Sequence, residues 1–84
     1  MSNANATAAA AAKFNPLGVI TVLAPANPKR RAAAVRFALY RNGLTVAGYV
    51  KAVTSRKLAG GKAIAYRDLS WDTKVGFITI TNPA

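Results

Sequence analysis

The two acidic side chains of the sequence, Asp68 and Asp72, are the groups that could carry catalytic chemistry. Their spacing of four residues puts them on one face of a helix, and paired carboxylates can hold Mg²⁺ as they do in nucleases. Because the chain has no His, Cys or Glu, no further group can complete an acid–base pair. We therefore interpret both acids as early residues of a final helix, where negative charge favours the helix dipole. We expect no enzyme activity, no catalytic residue, no metal and no cofactor.

Basic side chains are far more numerous, with 12 Lys and Arg residues and a formal net charge of +10 among 84 residues. Charge of one sign at this density opposes compaction, so it indicates a partner of the opposite sign. Nucleic acid is the commonest such partner, and we expect double-stranded DNA. The predicted nucleic-acid-binding residues are Lys29, Arg30, Arg31, Arg36, Arg56, Lys57, Lys62, Arg67 and Lys74.

These cations fall into three groups along the chain. Residues 27–31, NPKRR, bring three cations to the positive end of a predicted helix, where acids are preferred. A sequence that accepts this mismatch indicates a bound anion, and the alternative is a solvated charge run. Residues 54–62, TSRKLAGGK, predict a flexible basic loop whose paired glycines let the backbone approach a ligand. This loop lacks the earlier Gly and the following Ser or Thr of a nucleotide-binding phosphate loop. The third group flanks the final helix, and the sequence leaves open whether the three groups share one face.

Aromatic residues are interleaved with the cations, a pattern that also suits stacking on single-stranded bases. In a chain this short, we expect most of the rings to lie in the core. Tyr66 is the expected exception, and the Tyr40 hydroxyl is expected at the rim of the core.

Composition divides the chain into an Ala-rich tail, residues 1–13, and a single small basic domain, residues 14–84. The β-branched segment 18–24 lies between prolines and predicts a strand that is buried on both faces or paired. The alternating segment 77–81 predicts a second strand, and we expect the two ends of the domain to pair as a small sheet. Large core-forming residues are few, so a second copy could complete the core.

Two helices have clear boundary signals. Asn27 as N-cap, Pro28 as first residue and Asn42-Gly43 as the ending predict a helix over 28–42. Thr45 predicts the cap of a shorter second helix that runs to about residue 53, with Gly48 allowing close helix packing. The second helix places Val46, Tyr49, Val50 and Val53 on one face.

A third helix is predicted to begin between residues 63 and 70, with Asp68 or Ser70 as its cap, and to end at Gly76. The order from Thr45 onward is that of a winged helix-turn-helix, in which the last helix enters the major groove. The connector between the helices exceeds the usual length of about three or four residues, and any compact three-helix domain shares this order. The predicted fold class is α+β, with three short helices and a two-stranded sheet from the chain ends, winged helix-turn-helix-like.

Two segments, NPKRRAAAVRFALYRNGLTVAGYV and DLSWDTKVGFITI, resemble small uncharacterised basic proteins of tailed phages and their bacterial hosts. Those proteins share the Asn-Pro-Lys-Arg opening, the Gly-x-Thr-Val after a helix and the Asp-Leu-x-Trp-Asp before a closing Gly-Phe-Ile. The resemblance covers about half of the chain and implies a phage-like context, with no assigned site to transfer. Residues 54–66 depart from it, being longer and more basic.

These observations together predict a non-enzymatic DNA-binding protein of nucleoid, packaging or regulatory type, which contacts mainly the phosphate backbone with low sequence specificity. The alternative is a virion structural protein, a capsid or tail component whose basic face contacts the packaged genome. A further alternative is an RNA-binding protein of ribosomal type. A homo-oligomer or an assembly of virion subunits is compatible with either location, cytoplasmic (nucleoid) or virion. No apolar run approaches the roughly 20 residues that span a bilayer, so no membrane partner is expected.

Overall fold

The structure, a computed structural model, describes residues 14–83, so the predicted tail, residues 1–13, lies outside the described residues. The elements follow in the order β1 (Val19–Val22), α1 (Arg31–Phe37), α2 (Val46–Ser55), α3 (Gly61–Lys74) and β2 (Ile78–Thr81). The prediction of an α+β chain with three helices and a two-stranded sheet is confirmed. None of the described helices is long and apolar enough to cross a membrane.

The two strands pair antiparallel, as predicted, with Ile20 opposite Ile80 and Val22 opposite Ile78. These residues face the core, and Ile20 and Ile78 are almost completely buried. Val19, which alternates with them, is exposed. The near-continuous apolarity of 18–24 therefore reflects a partner strand and not burial on both faces.

A further segment lies along the other edge of β1. The amide of Ile20 donates to the Leu44 carbonyl at 2.8 Å, and the amide of Val46 donates to the Gly18 carbonyl at 2.9 Å. The amide of Val22 donates to Asn42 Oδ1 at 2.7 Å. These bonds place β1 between β2 and the segment that leads into α2, so the start of α2 is held against the sheet.

Helix α1 is shorter than the predicted 28–42, because Asn27 and Asn42 make hydrogen bonds other than those of a helix cap and a helix ending. Asn27 does not cap the helix: its Oδ1 accepts from the Lys29 amide at 3.0 Å, and its Nδ2 donates to the Ala34 carbonyl at 2.8 Å. Arg30 is the residue before the first turn and makes no side-chain cap bond. At the other end, Asn42 is bound to β1, so the chain has left the helix before it.

Helix α2 confirms the prediction closely. Thr45 caps it by accepting a hydrogen bond from the Gly48 amide at 3.0 Å, and its four predicted core residues are all buried. Gly48 does not serve helix packing. A Cβ there would lie 2.7 Å from Leu44 Cδ1 and 3.2 Å from the Thr45 hydroxyl, so the capping turn itself limits the space.

Four residues of the predicted loop 54–62 belong to helix ends, and the connector between α2 and α3 is residues 56–60. Lys57 has a left-handed φ of 55° and Leu58 donates to the Val53 carbonyl at 3.4 Å, which closes α2 with a structured turn. Helix α3 begins at Gly61, earlier than predicted, so Asp68 and Ser70 are interior residues and not caps.

The end of α3 agrees with the prediction. Gly76 adopts a left-handed φ of 84°, and the Phe77 amide donates to the Asp72 carbonyl at 2.9 Å. The chain then enters β2 directly, which fixes the direction of the last strand relative to α3.

Aromatic rings fill much of the core, as predicted. Tyr40 stacks on Tyr49 with ring centres 4.4 Å apart, and Phe37 meets Tyr40 edge-on at 5.0 Å. The predicted exception is wrong: Tyr66 is partly buried and stacks on Phe14 at 6.4 Å. Trp71 is the exposed ring, with 53% of its surface accessible.

Candidate nucleic-acid interface

Asp68 lies on the buried face of α3 and is bound by two other helices. Its Oδ2 accepts from Arg36 Nε of α1 at 2.5 Å and from the Tyr49 hydroxyl of α2 at 2.9 Å. Its Oδ1 accepts from Arg36 Nη2 at 3.2 Å, which makes the arginine contact bidentate. This carboxylate therefore ties α1 and α2 to α3.

Asp72, one turn further along α3, is only 1% exposed and forms a second network. Its Oδ2 accepts from the Tyr40 hydroxyl at 2.8 Å. Its Oδ1 has no hydrogen bond of good geometry and is neutralised by the Lys29 ammonium, with Nζ at 2.7 Å. Both acids therefore have structural roles, and both lie in the second half of α3. The prediction that they lie early in the helix is wrong.

Two of the predicted nucleic-acid-binding residues are thereby held in internal ion pairs and only slightly exposed. The side chains of Lys29 and Arg36 are 15% and 11% exposed, whereas both were expected to face solvent or a ligand. Lys29 Nζ also lies 5.8 Å from the centre of the Phe77 ring. The physical reason is that a buried carboxylate without a cation is strongly destabilising, and these cations are the ones within reach.

The tyrosines of both networks act as hydrogen-bond donors at any ordinary pH. Burial raises the pKa of Tyr40 and Tyr49 well above the usual range, and the neighbouring carboxylates raise the pKa of both further. The hydrogen bond to Asp68 raises the pKa of Arg36, so its charge is permanent. The Tyr40 hydroxyl, expected at the rim, is enclosed with Asp72.

The remaining described cations have no carboxylate partner, because both acids of the chain are already paired. All nine of these cations are exposed, and seven of them are predicted binding residues. Arg41 and Lys51 are two exposed cations that the sequence reasoning did not select. The exposed set is Arg30, Arg31, Arg41, Lys51, Arg56, Lys57, Lys62, Arg67 and Lys74.

The structure brings three of these cations together around the α2–α3 connector. Arg56 and Lys57 directly follow the last residue of α2, and Lys62 is the second residue of α3. The Lys29–Asp72 contact instead holds the α1 start, with Arg30 and Arg31, near the far end of α3. Since a helix rises about 1.5 Å per residue, the two groups lie near ends of α3 that are roughly 15 Å apart.

Between these groups, the outer face of α3 carries a stripe of exposed side chains. Ala63, Arg67, Trp71 and Lys74 follow one another at intervals of four, four and three residues, and all four are exposed. The buried face carries Ala65, Asp68, Leu69 and Asp72. We call these four exposed residues the α3 stripe. Trp71 was missed as a site residue, although its spacing of four from Arg67 is visible in the sequence.

A shallow cleft of about 360 Å³ lies beside β2 and is lined by residues of that strand with Phe14, Asn15 and Thr73. None of its lining residues is charged. The exposed cations therefore do not converge on this cleft, and the basic surface is an open one. An open basic surface suits an extended ligand better than a small anion.

Comparison with known proteins adds no relative. No protein-family model matches the chain, and neither a curated protein nor a solved structure shows a significant match.

Proposed function

We propose that this chain is a non-enzymatic DNA-binding protein that contacts mainly the phosphate backbone. The observation that carries the proposal is the internal pairing of both acids with Lys29 and Arg36. Every other cation of the described chain is left without a carboxylate, so the surface is basic with no acid to balance it. Such a surface is a good match for the regular negative charge of a duplex.

The arrangement of α2, the connector and α3 supports a helix-turn-helix mode of binding. The connector of residues 56–60 is structured, although it is longer than the usual turn of about three or four residues. Helix α3 also carries an outer face of exposed side chains. In this mode α3 lies in the major groove, which is about 12 Å wide, while the connector grips the backbone. The β1–β2 pair then has the place of the wing of a winged helix, built from the two ends of the domain.

Individual cations have different roles in this proposal. Arg56, Lys57 and Lys62 contact phosphates at the connector, and Arg67 and Lys74 contact phosphates or base edges along α3. Arg30 and Arg31 add a contact near the other end of α3 and complete the set of proposed contact residues. Lys29 and Arg36 are excluded from it because their charges are used inside the protein. With no exposed acid side chain to repel unsuitable sequences, binding is weakly specific.

The test is a salt series with matched duplex DNA, single-stranded DNA and double-stranded RNA, measured by the anisotropy of labelled nucleic acid. If about six cations neutralise phosphates, the logarithm of the association constant falls with the logarithm of the salt concentration at a slope of about −5. A flat response, or a consistent preference for RNA, would contradict the proposal.

A charge-matched pair of variants locates the contact. Arg56→Ala with Lys62→Ala removes two connector cations and should reduce the slope by about 2 units. Arg41→Ala with Lys51→Ala removes two exposed cations outside the proposed surface and should leave the slope unchanged. Equal effects of the two double variants would show that binding follows net charge and not the connector.

A further inference from the structure

Trp71 is the one large apolar side chain on the α3 stripe, and its surroundings are basic. Arg67 precedes it by one turn, and Lys74 Nζ lies 6.0 Å from the centre of its ring. More than half of the indole is exposed. An exposed indole between two cations is not accounted for by phosphate contacts, since phosphates offer no apolar surface.

The charge of the stripe restricts what can cover Trp71. Both acids of the chain lie on the buried face of α3, so a partner that contacts the indole also meets Arg67 and Lys74 without any opposing charge. Anionic lipid would satisfy the charge, but an interfacial helix needs a broad apolar face. The other exposed apolar residues of this helix and its end are Ala63, about two turns from Trp71, and Val75, at 39% exposure. They do not form a broad apolar face, so a polyanion that carries small apolar groups is the better match.

Duplex DNA carries such groups in the major groove, where the thymine methyl is the apolar feature of the base edges. We propose that Trp71 packs against thymine methyl groups in the major groove and adds a salt-independent, thymine-favouring contribution to binding. This inference rests on the proposed DNA binding and deepens it, because it names the base feature that the protein detects.

The first experiment uses the indole as its own reporter, because Trp71 is the single tryptophan of the chain. On titration with duplex DNA, its emission should change and its quenching by acrylamide should fall several-fold. If labelled DNA shows binding while emission and quenching stay constant, the inference is wrong and the proposed function stands. If no duplex binds, both are wrong.

The second experiment replaces every thymine of the duplex with uracil, which removes the methyl groups and keeps the charge. The wild type should bind the thymine duplex about fourfold more tightly for each methyl that it contacts. Trp71→Ala should bind about tenfold more weakly, with no thymine preference and an unchanged salt slope. Because Trp71 is exposed, this variant should fold normally.

Leu17→Ala is the matched control, since Leu17 is similarly exposed, at 63%, and lies outside the proposed contact surface. It should keep both the affinity and the thymine preference. A thymine preference that survives in Trp71→Ala would overturn the inference. So would an emission shift produced by vesicles of anionic phospholipid, at the same salt concentration, when duplex DNA produces none.

Discussion

Lys29→Met tests whether the two acids are held by internal cations, as the structure shows. The variant keeps the aliphatic stem and removes the ammonium that lies 2.7 Å from Asp72 Oδ1. At an effective dielectric constant of about 20, charges at this distance attract by about 6 kcal/mol, and desolvation offsets a large part of that. Breaking a buried pair costs about 3 to 5 kcal/mol. Because Lys29 is 15% exposed, we expect the lower end of that range.

The measurement is urea unfolding at constant m-value, with Lys51→Met as the control. Lys51 is an exposed cation without a carboxylate partner, so its replacement should change stability by less than about 0.5 kcal/mol. Asp72→Asn added to Lys29→Met removes the uncompensated charge and keeps an acceptor for the Tyr40 hydroxyl. The double variant should therefore recover about 2 kcal/mol relative to Lys29→Met.

Two results would refute this reasoning. One is that Lys29→Met lowers the free energy of unfolding no more than Lys51→Met does. The other is that the double variant is less stable than Lys29→Met alone. The same variants also separate stability from binding. Lys29→Met should leave the salt slope for DNA unchanged, because its charge is not part of the exposed set.

Three further predictions concern the tyrosines, a strained turn residue and a helix cap. Burial raises the pKa of Tyr40 and Tyr49, so both phenols stay protonated in the folded chain at a pH where they ionise on unfolding. The free energy of unfolding should have its full value below about pH 10 and should fall above that pH by about 1.4 kcal/mol per pH unit for each tyrosine. In urea unfolding, Tyr49→Phe should halve this dependence on pH. Lys57→Gly should stabilise the protein by about 0.5 to 1 kcal/mol, because φ is 55° there, whereas Lys51→Gly within α2 should destabilise it by about 1 kcal/mol; a thermal melt that shows the same sign for both would contradict this. Thr45→Ala removes the hydroxyl that caps α2 and should lower stability by about 1 kcal/mol, while an unchanged melting temperature would mean that the cap contributes nothing.

Local features of this fold could be predicted from the sequence because their causes are local. The Thr45 cap, the left-handed ending at Gly76 and the alternation in 77–81 each depend on a few neighbouring residues. The strand pairing followed because only two segments had strand character. The end of α1 could not be predicted, because Asn42 is used as a hydrogen-bond partner of β1 and not as a helix ending.

The two ion pairs were not predicted, because the partner of each cation lies far along the chain. Arg36 and Asp68 are 32 residues apart, and Lys29 pairs with an acid that is still more distant. Spacing identifies cations on a helix face but does not say whether a buried acid will meet them. The two acids were interpreted through their own helix dipole, whereas their charges are satisfied by other segments of the chain.

The internal pairs also determine what α3 presents outward. Asp68 is held from α1 and α2, and Asp72 is held by Lys29 and Tyr40. Because the two acids are one turn apart on one side of α3, these bonds prevent the helix from rotating about its axis. A rotation by one residue, about 100°, would break both networks and turn Trp71 away from its present direction. The cations that are excluded from the proposed binding surface therefore fix the direction in which the α3 stripe faces.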